Sequence, residues 1–242
     1  MKEIKFKKAL DRLNKAMSNK NPEIEVGKLE VGPVTPNEPT PPTETGCPCC
    51  GGGDDGSIDC YVCLVRAIQD VETGSQPVVG GVPGCNVCGD GGRSCGPHQI
   101  GRDYIIDACD ACPSYCAQFG GANAVINKIH LPCPQTPGQS VEDCCRLKVI
   151  IGEHLIGCYN KKYGENPNFS CRCKNKDASG KECCSCEEIA KRHQGGYKGP
   201  CNDTPRRREY WRRVKERMRK NCPQCINCGN NSGETPVIEV KK

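Results

Sequence analysis

Apolar residues recur at helical spacing in several separate stretches of this chain. Val62, Val65, Ile68 and Val71 predict a first body helix from Asp59 to Val71, with Gly74 as its stop. Asp103 to Phe119 reads as helical with a break near Pro113, where the backbone N–H needed by a continuous helix is missing. Val141 to Tyr163 predicts the central helix, with Leu147, Ile150, Ile151, His154, Leu155 and Cys158 as its apolar stripe. Glu187 to His193 is a short helix ending at Gly195-Gly196. Arg206 to Lys220 is a basic helix whose Tyr210, Trp211, Val214 and Met218 form the buried side. Residues 75–101 hold many glycines and turn signals, so loops and at most a small hairpin are expected there.

The ends of the chain follow other patterns. Residues 1–20 form a basic amphipathic arm, with Ile4, Leu10, Leu13 and Met17 on one face. A solvated helix explains that arm, with membrane-surface binding as the rival reading. Residues 21–46 repeat Pro, including PVTPNEPTPP, and predict an extended linker. The body is expected over 47–222, followed by a C-terminal tail over 223–242. The expected class is α+β and mostly helical, with a small irregular β/loop lobe.

Cysteine changes the picture most. The 242-residue chain holds 24 cysteines against three Phe and one Trp, so cross-links replace part of the missing apolar core. The even number allows several connectivities, which the sequence does not distinguish. Three adjacent pairs, Cys49-Cys50, Cys144-Cys145 and Cys183-Cys184, are each expected to tie their segment to two others. The rival reading is a zinc site built from Cys60-x-x-Cys63 and Cys85-x-x-Cys88, but one zinc leaves twenty cysteines unexplained. No metal or other cofactor is therefore expected. A disulfide scaffold implies an oxidising, extracellular setting. Met1 to Met17 nevertheless contains no continuous apolar h-region. No apolar run long enough to span a membrane occurs. Sequons at Asn168, Asn202 and Asn230 are compatible with secretion.

Two carboxylates stand in contrasting settings. Glu72 closes the first predicted helix just before Thr73-Gly74. The negative end of the helix dipole and the helix's apolar neighbours both favour a neutral acid, ready to donate a proton. Asp90 lies among Gly89, Gly91 and Gly92, where backbone N–H groups can approach and stabilise an anion. An acid and an anion set apart in this way suit cleavage of a glycosidic bond. The competing readings are a solvated Glu at a helix end and an ordinary Asp-Gly turn.

The segment SCGPHQIGRDYIIDAC, residues 94–109, resembles the signature of the invertebrate-type lysozymes, the destabilase-lysozyme family. VETG at 71–74, YNKKY at 159–163, AKRHQGGYKGPC at 190–201 and YWRRVK at 210–215 are similar to further elements of that family, in the same order. The resemblance spans roughly residues 58–222. It departs at the lead-in to Glu72, where Cys63 is followed by LVRAIQDVE, and in the Asp90 loop, which is one residue shorter. The resemblance implies a lysozyme-like domain and a muramidase acting on bacterial peptidoglycan, with chitin oligomers as a further ligand. It implies Glu72 as acid and Asp90 as nucleophile or stabiliser of the oxocarbenium-like transition state. His98 stands where the family has an aromatic residue, and with Gln99 and Tyr104 it is expected to contact sugar. His193 is expected to line the substrate cleft or to pack against the closing helix. Some relatives cleave isopeptide bonds with a Ser–His pair. His193 matches that histidine, but the serine falls on Arg93, with Ser94 next to it. Nine Arg or Lys against two Glu over 205–220 give a positive face that would draw the protein to anionic walls. Nucleic acid is set aside, because the whole-chain charge of +5 is mild and the cysteine framework does not suit a nuclear protein.

Overall fold

The computed structural model describes residues 60–176 and 182–225. The arm read over 1–20, the linker over 21–46, Cys49-Cys50, Asn230 and residues 226–242 of the tail lie outside the described residues.

Seven α-helices occur among the described residues. They are α1 (Cys60–Thr73), α2 (Arg102–Ala111), α3 (Pro113–Ala117), α4 (Ala122–His130), α5 (Val141–Gly164), α6 (Cys186–Gly195) and α7 (Pro205–Asn221). The strands are two residues long and antiparallel. β1 (Val78–Val79) pairs with β2 (Val82–Pro83). β3 (Cys88–Gly89), β4 (Ser94–Cys95) and β5 (Ile100–Gly101) form a three-stranded sheet in that order. β6 (Asn175–Lys176) pairs with β7 (Glu182–Cys183). The fold is thus α+β, mostly helical, with a small β/loop lobe inserted between α1 and α2.

Local signals account for the helix ends. Ser140 caps α5 by accepting from the Asp143 N–H, with Glu142 and Asp143 in the first turn and Lys161 and Lys162 in the last, all favourable to the helix dipole. Ser185 and Glu188 form a reciprocal capping box on α6. Thr204 caps α7 and Pro205 takes a first-turn position, where its missing N–H costs nothing. The break expected at Pro113 is the α2–α3 junction.

The main core gathers Leu64, Val65 and Ile68 of α1, Ile105 of α2, Val125 and Ile129 of α4, Ile151, Leu155 and Ile156 of α5, and Val214 and Met218 of α7. A second cluster, Val82 with Cys85, Cys133, Cys144 and Cys145, lies beneath β2. Lys148 is buried, and its ammonium donates to the carbonyls of Cys85 (2.9 Å) and Leu131 (2.7 Å). Hydrogen bonds to backbone oxygens thus stand in for a carboxylate partner.

Three differences from the sequence reading are informative. Ile150, assigned to the buried stripe of α5, is 39 % exposed, while Ile156 and Tyr159 are buried. The helix is covered on more than one side, so a single stripe does not describe it. Helix α4 follows Gly120-Gly121 and was not anticipated; only Val125, Ile126 and Ile129 mark its apolar side. The β6–β7 pair was also missed, because two-residue strands carry no periodicity.

The disulfides supply core volume, since most of the bridged cysteines are buried within the two clusters. Cys60–Cys225 and Cys63–Cys222 tie the start of α1 to the segment after α7, across sequence separations of 165 and 159 residues. In the chain-entropy account a loop of that length restrains the unfolded chain by about 5 kcal/mol. The adjacent pair Cys144-Cys145 reaches two different segments, through Cys133–Cys144 and Cys85–Cys145. The four cysteines of the zinc alternative are divided among four bridges, to Cys225, Cys222, Cys145 and Cys95. None of those thiolates is left to bind metal. No helix among the described residues is long and apolar enough to cross a membrane.

Candidate active site

Helix α1 delivers Glu72 to a junction of three elements. The Thr73 hydroxyl, fully buried, lies between the carbonyls of Gln69 (2.9 Å) and Pro97 (3.2 Å), joining the end of α1 to the β4–β5 loop. Arg213 of α7 donates to the Val71 carbonyl at 3.2 Å, which satisfies one of the free carbonyls of the helix end and brings a cation to its negative pole. Arg213 also lines a cavity of about 390 Å³ with Glu216, Arg217 and Lys220.

The Glu72 side chain is 23 % exposed, and Nε2 of the buried His193 lies 3.8 Å from its Oε1. His193 belongs to α6 and donates from Nε2 to the His98 carbonyl at 3.0 Å. A neutral ring in that tautomer carries its lone pair on Nδ1. The Tyr210 phenol of α7 is buried beside Glu72 without closing a hydrogen bond of normal geometry. Tyr104 of α2 packs edge-on against His193 (5.7 Å between centroids) and stacks face to face on Tyr159 (3.7 Å). Helices α2, α5, α6 and α7 therefore all contribute to the surroundings of one carboxylate.

Burial sets the electrostatics. It pushes His193 below the usual histidine range, against the opposing pull of the Glu72 charge and the His98 carbonyl. Burial and neighbouring His193 lower His98 to about 3. Burial and the Glu72 charge hold the Tyr210 phenol protonated well above its ordinary range. Glu72 thus faces a neutral imidazole and a neutral phenol. Among the described residues, seven buried side-chain polar atoms have no protein hydrogen-bond partner. Two of them, His193 Nδ1 and Tyr210 Oη, belong to side chains beside Glu72, while the His98 ring lies against Gly152 and the Val65 backbone. Buried polar groups without a protein partner call for water or a ligand, which makes this place a candidate site.

Comparison of the chain with family models, with curated proteins and with solved structures finds no match. The likeness to invertebrate-type lysozymes therefore stands on the motifs themselves.

Asp90 opens a short 3-10 turn, Asp90–Gly92, between β3 and β4. It is exposed, with a left-handed φ of 50° that only a few residue types adopt without cost. Directly behind it, Cys88 and Cys95 are register partners and are bridged. The sugar contacts expected of His98 and Gln99 are corrected by their surroundings. His98 is 1 % exposed, so its ring is out of reach of a ligand in this conformation. Gln99 spends its amide inside the sheet, accepting from the Gly89 N–H (2.9 Å) and donating to the carbonyls of Val87 (3.1 Å) and Gly96 (2.8 Å). Tyr104 is partly exposed as a residue, but burial raises its phenol well above the ordinary range and Tyr159 covers one face of its ring. His193 packs against Glu72 of α1, the β4–β5 loop and Tyr104 of α2. Ser94 sits in β4 opposite Gly89 and Gly101, while His193 commits its N–H to His98. Sequence reasoning placed Tyr210 in the core but did not bring it to Glu72. The two are 138 positions apart, and no local pattern links them.

Gly152 of α5 is the floor of the His98 pocket. A Cβ there would lie 2.3 Å from His98 Nδ1. Gly152→Ala is expected to cost about 2 kcal/mol, the overpacking penalty outweighing the helix propensity gained. Denaturant midpoints of Gly152→Ala, His98→Ala and the double variant check this. The double variant is expected to lose less than the sum of the two singles, because the smaller residue at 98 makes the room.

Proposed function

We propose that this protein is a secreted, lysozyme-like muramidase that hydrolyses β-1,4 bonds between N-acetylmuramic acid and N-acetylglucosamine in bacterial peptidoglycan. The observation that carries the reading is the partly exposed Glu72 beside the buried, neutral side chains of His193 and Tyr210. In this reading Glu72 protonates the glycosidic oxygen as it leaves. Asp90 attacks the anomeric carbon or stabilises its developing positive charge, and water completes the hydrolysis. His193 and Tyr210 lie beside Glu72 from two helices. Tyr104, partly exposed as a residue, is kept in this reading as a sugar contact. The disulfide framework supports an extracellular setting.

The test is release of reducing ends from insoluble peptidoglycan by the oxidised, full-length protein. Steady release supports hydrolysis. Binding to the wall without release would replace this reading with a non-catalytic wall-binding module. That second reading draws on the basic residues of α7, among them Arg206, Arg217 and Lys220, and predicts binding that disappears as salt rises. Hydrolysis of ε-(γ-glutamyl)-lysine instead of the glycan would point to isopeptidase chemistry.

A further inference from the structure

The Asp90 turn is closed by a bridge unlike the others. Cys88 and Cys95 face each other directly in the β3–β4 register, with Cα atoms 4.0 Å apart and a sequence separation of 7. Cys88 is exposed. Cys109–Cys116 has the same separation, but both of its residues are buried. Cys171–Cys201 also has an exposed end, at Cys201, yet it closes a separation of 30. The bridges from Cys60 and Cys63 join the two ends of the described body. Among the described bridges, only the hairpin bridge combines an exposed cysteine with a loop this short. Opening a short loop releases little chain entropy, so the rest of the fold loses little restraint when it opens.

We propose that Cys88–Cys95 is a thiol-exchange site, opened in the native fold by an external dithiol before any other of the described bridges, and that its opening frees the Asp90 turn. A thiolate of the dithiol attacks the Cys88 sulfur, forming a mixed disulfide, and the Cys95 sulfur leaves as a thiolate that takes up a proton. The second thiol of the reagent then attacks the mixed disulfide, and Cys88 leaves as the second thiol. The dithiol ends as its own disulfide, and the protein bridge gains two electrons and two protons.

Two features make the opened form a defined state. The Gln99 amide still holds the strands through Gly89, Val87 and Gly96, and the Gly96 N–H still donates to Val87 at 3.0 Å, so the sulfurs stay near each other for re-oxidation. The turn itself holds three successive residues at left-handed φ: Asp90 (50°), Gly91 (67°) and Gly92 (91°). A non-glycine residue there is held by its closure, and loss of the bridge lets Asp90 leave that conformation. This proposal does not depend on the hydrolytic reading of the protein.

The experiment treats the native, full-length protein with graded dithiothreitol at mildly alkaline pH. Exposed thiols are then trapped with a maleimide, and the labelled cysteines are mapped by mass spectrometry beside circular dichroism and amide hydrogen exchange. The expected result is labelling of Cys88 and Cys95 first, an unchanged helical signal, and faster exchange confined to residues 88–95. First labelling at Cys171 and Cys201, or opening of all bridges together with loss of helix, overturns the proposal. A Cys88→Ser, Cys95→Ser double variant is expected to show the same local exchange without reductant. Unchanged protection of the turn in that variant would overturn the claim that the bridge holds Asp90.

Discussion

Glu72→Gln is expected to leave a peptidoglycan suspension almost untouched while the fold survives. The amide keeps the size and shape of the carboxyl, so the packing against His193 and beside Tyr210 changes little. It cannot donate an acidic proton to a leaving oxygen, and a positioned general acid contributes about 10²- to 10⁴-fold to a rate. The loss should fall on kcat, with wall binding and the denaturant midpoint close to those of the parent protein. Asp90→Asn removes the anion from an exposed turn and should also reduce the rate without unfolding the protein. The measurement is reducing-end release under single-batch conditions for the parent and both variants. Equal rates in all three would remove Glu72 and Asp90 from any catalytic role, whatever else the protein does.

Acid is expected to destabilise the fold strongly. All four histidines of the chain, His98, His130, His154 and His193, are held below the usual histidine range, in each case chiefly by burial. In the unfolded chain each takes up a proton near pH 6.5, as ordinary imidazoles do. Between that value and the lowered native values the unfolded state binds more protons than the native state. Stability therefore rises with pH through this window and falls as the solution is acidified. For His98 the window runs from 6.5 down to about 3, and a shift of that size is worth on the order of 5 kcal/mol when fully developed. Above pH 7 the histidine contribution is complete, and a further rise is expected above about pH 8 from the buried Lys148, whose ammonium is lowered by burial to about 8. Urea midpoints at neutral pH and at several acid values check the sign and the size. His98→Leu should flatten the acid side of the curve. A midpoint independent of pH down to the carboxylate range would contradict the burial of these rings.

The two results report on the same place. His98 and His193 stay neutral because α5, α6 and the β4–β5 loop exclude water around them. That exclusion also leaves Glu72 with two neutral polar neighbours. A site built from desolvated groups gains electrostatic leverage and loses acid tolerance together. The Gly152 side of the His98 pocket makes the dependence concrete, since there is no spare space to absorb even one methyl group.

Much of this architecture was legible along the chain. The end of α1 at Thr73 follows from apolar spacing plus Gly74, and it puts Glu72 at a helix terminus without any tertiary information. Pro113 fixed the α2–α3 break, and Tyr210, Val214 and Met218 identified the buried side of α7. These are local effects, because backbone sterics and helical periodicity act within a few residues. The pairing of the cysteines, the buried state of His98, the use of Gln99 as a clamp within the sheet and the meeting of Glu72 with His193 and Tyr210 were decided only by tertiary structure. Each depends on which surfaces exclude water together, and residues more than a hundred positions apart carry no mutual pattern until the chain has folded.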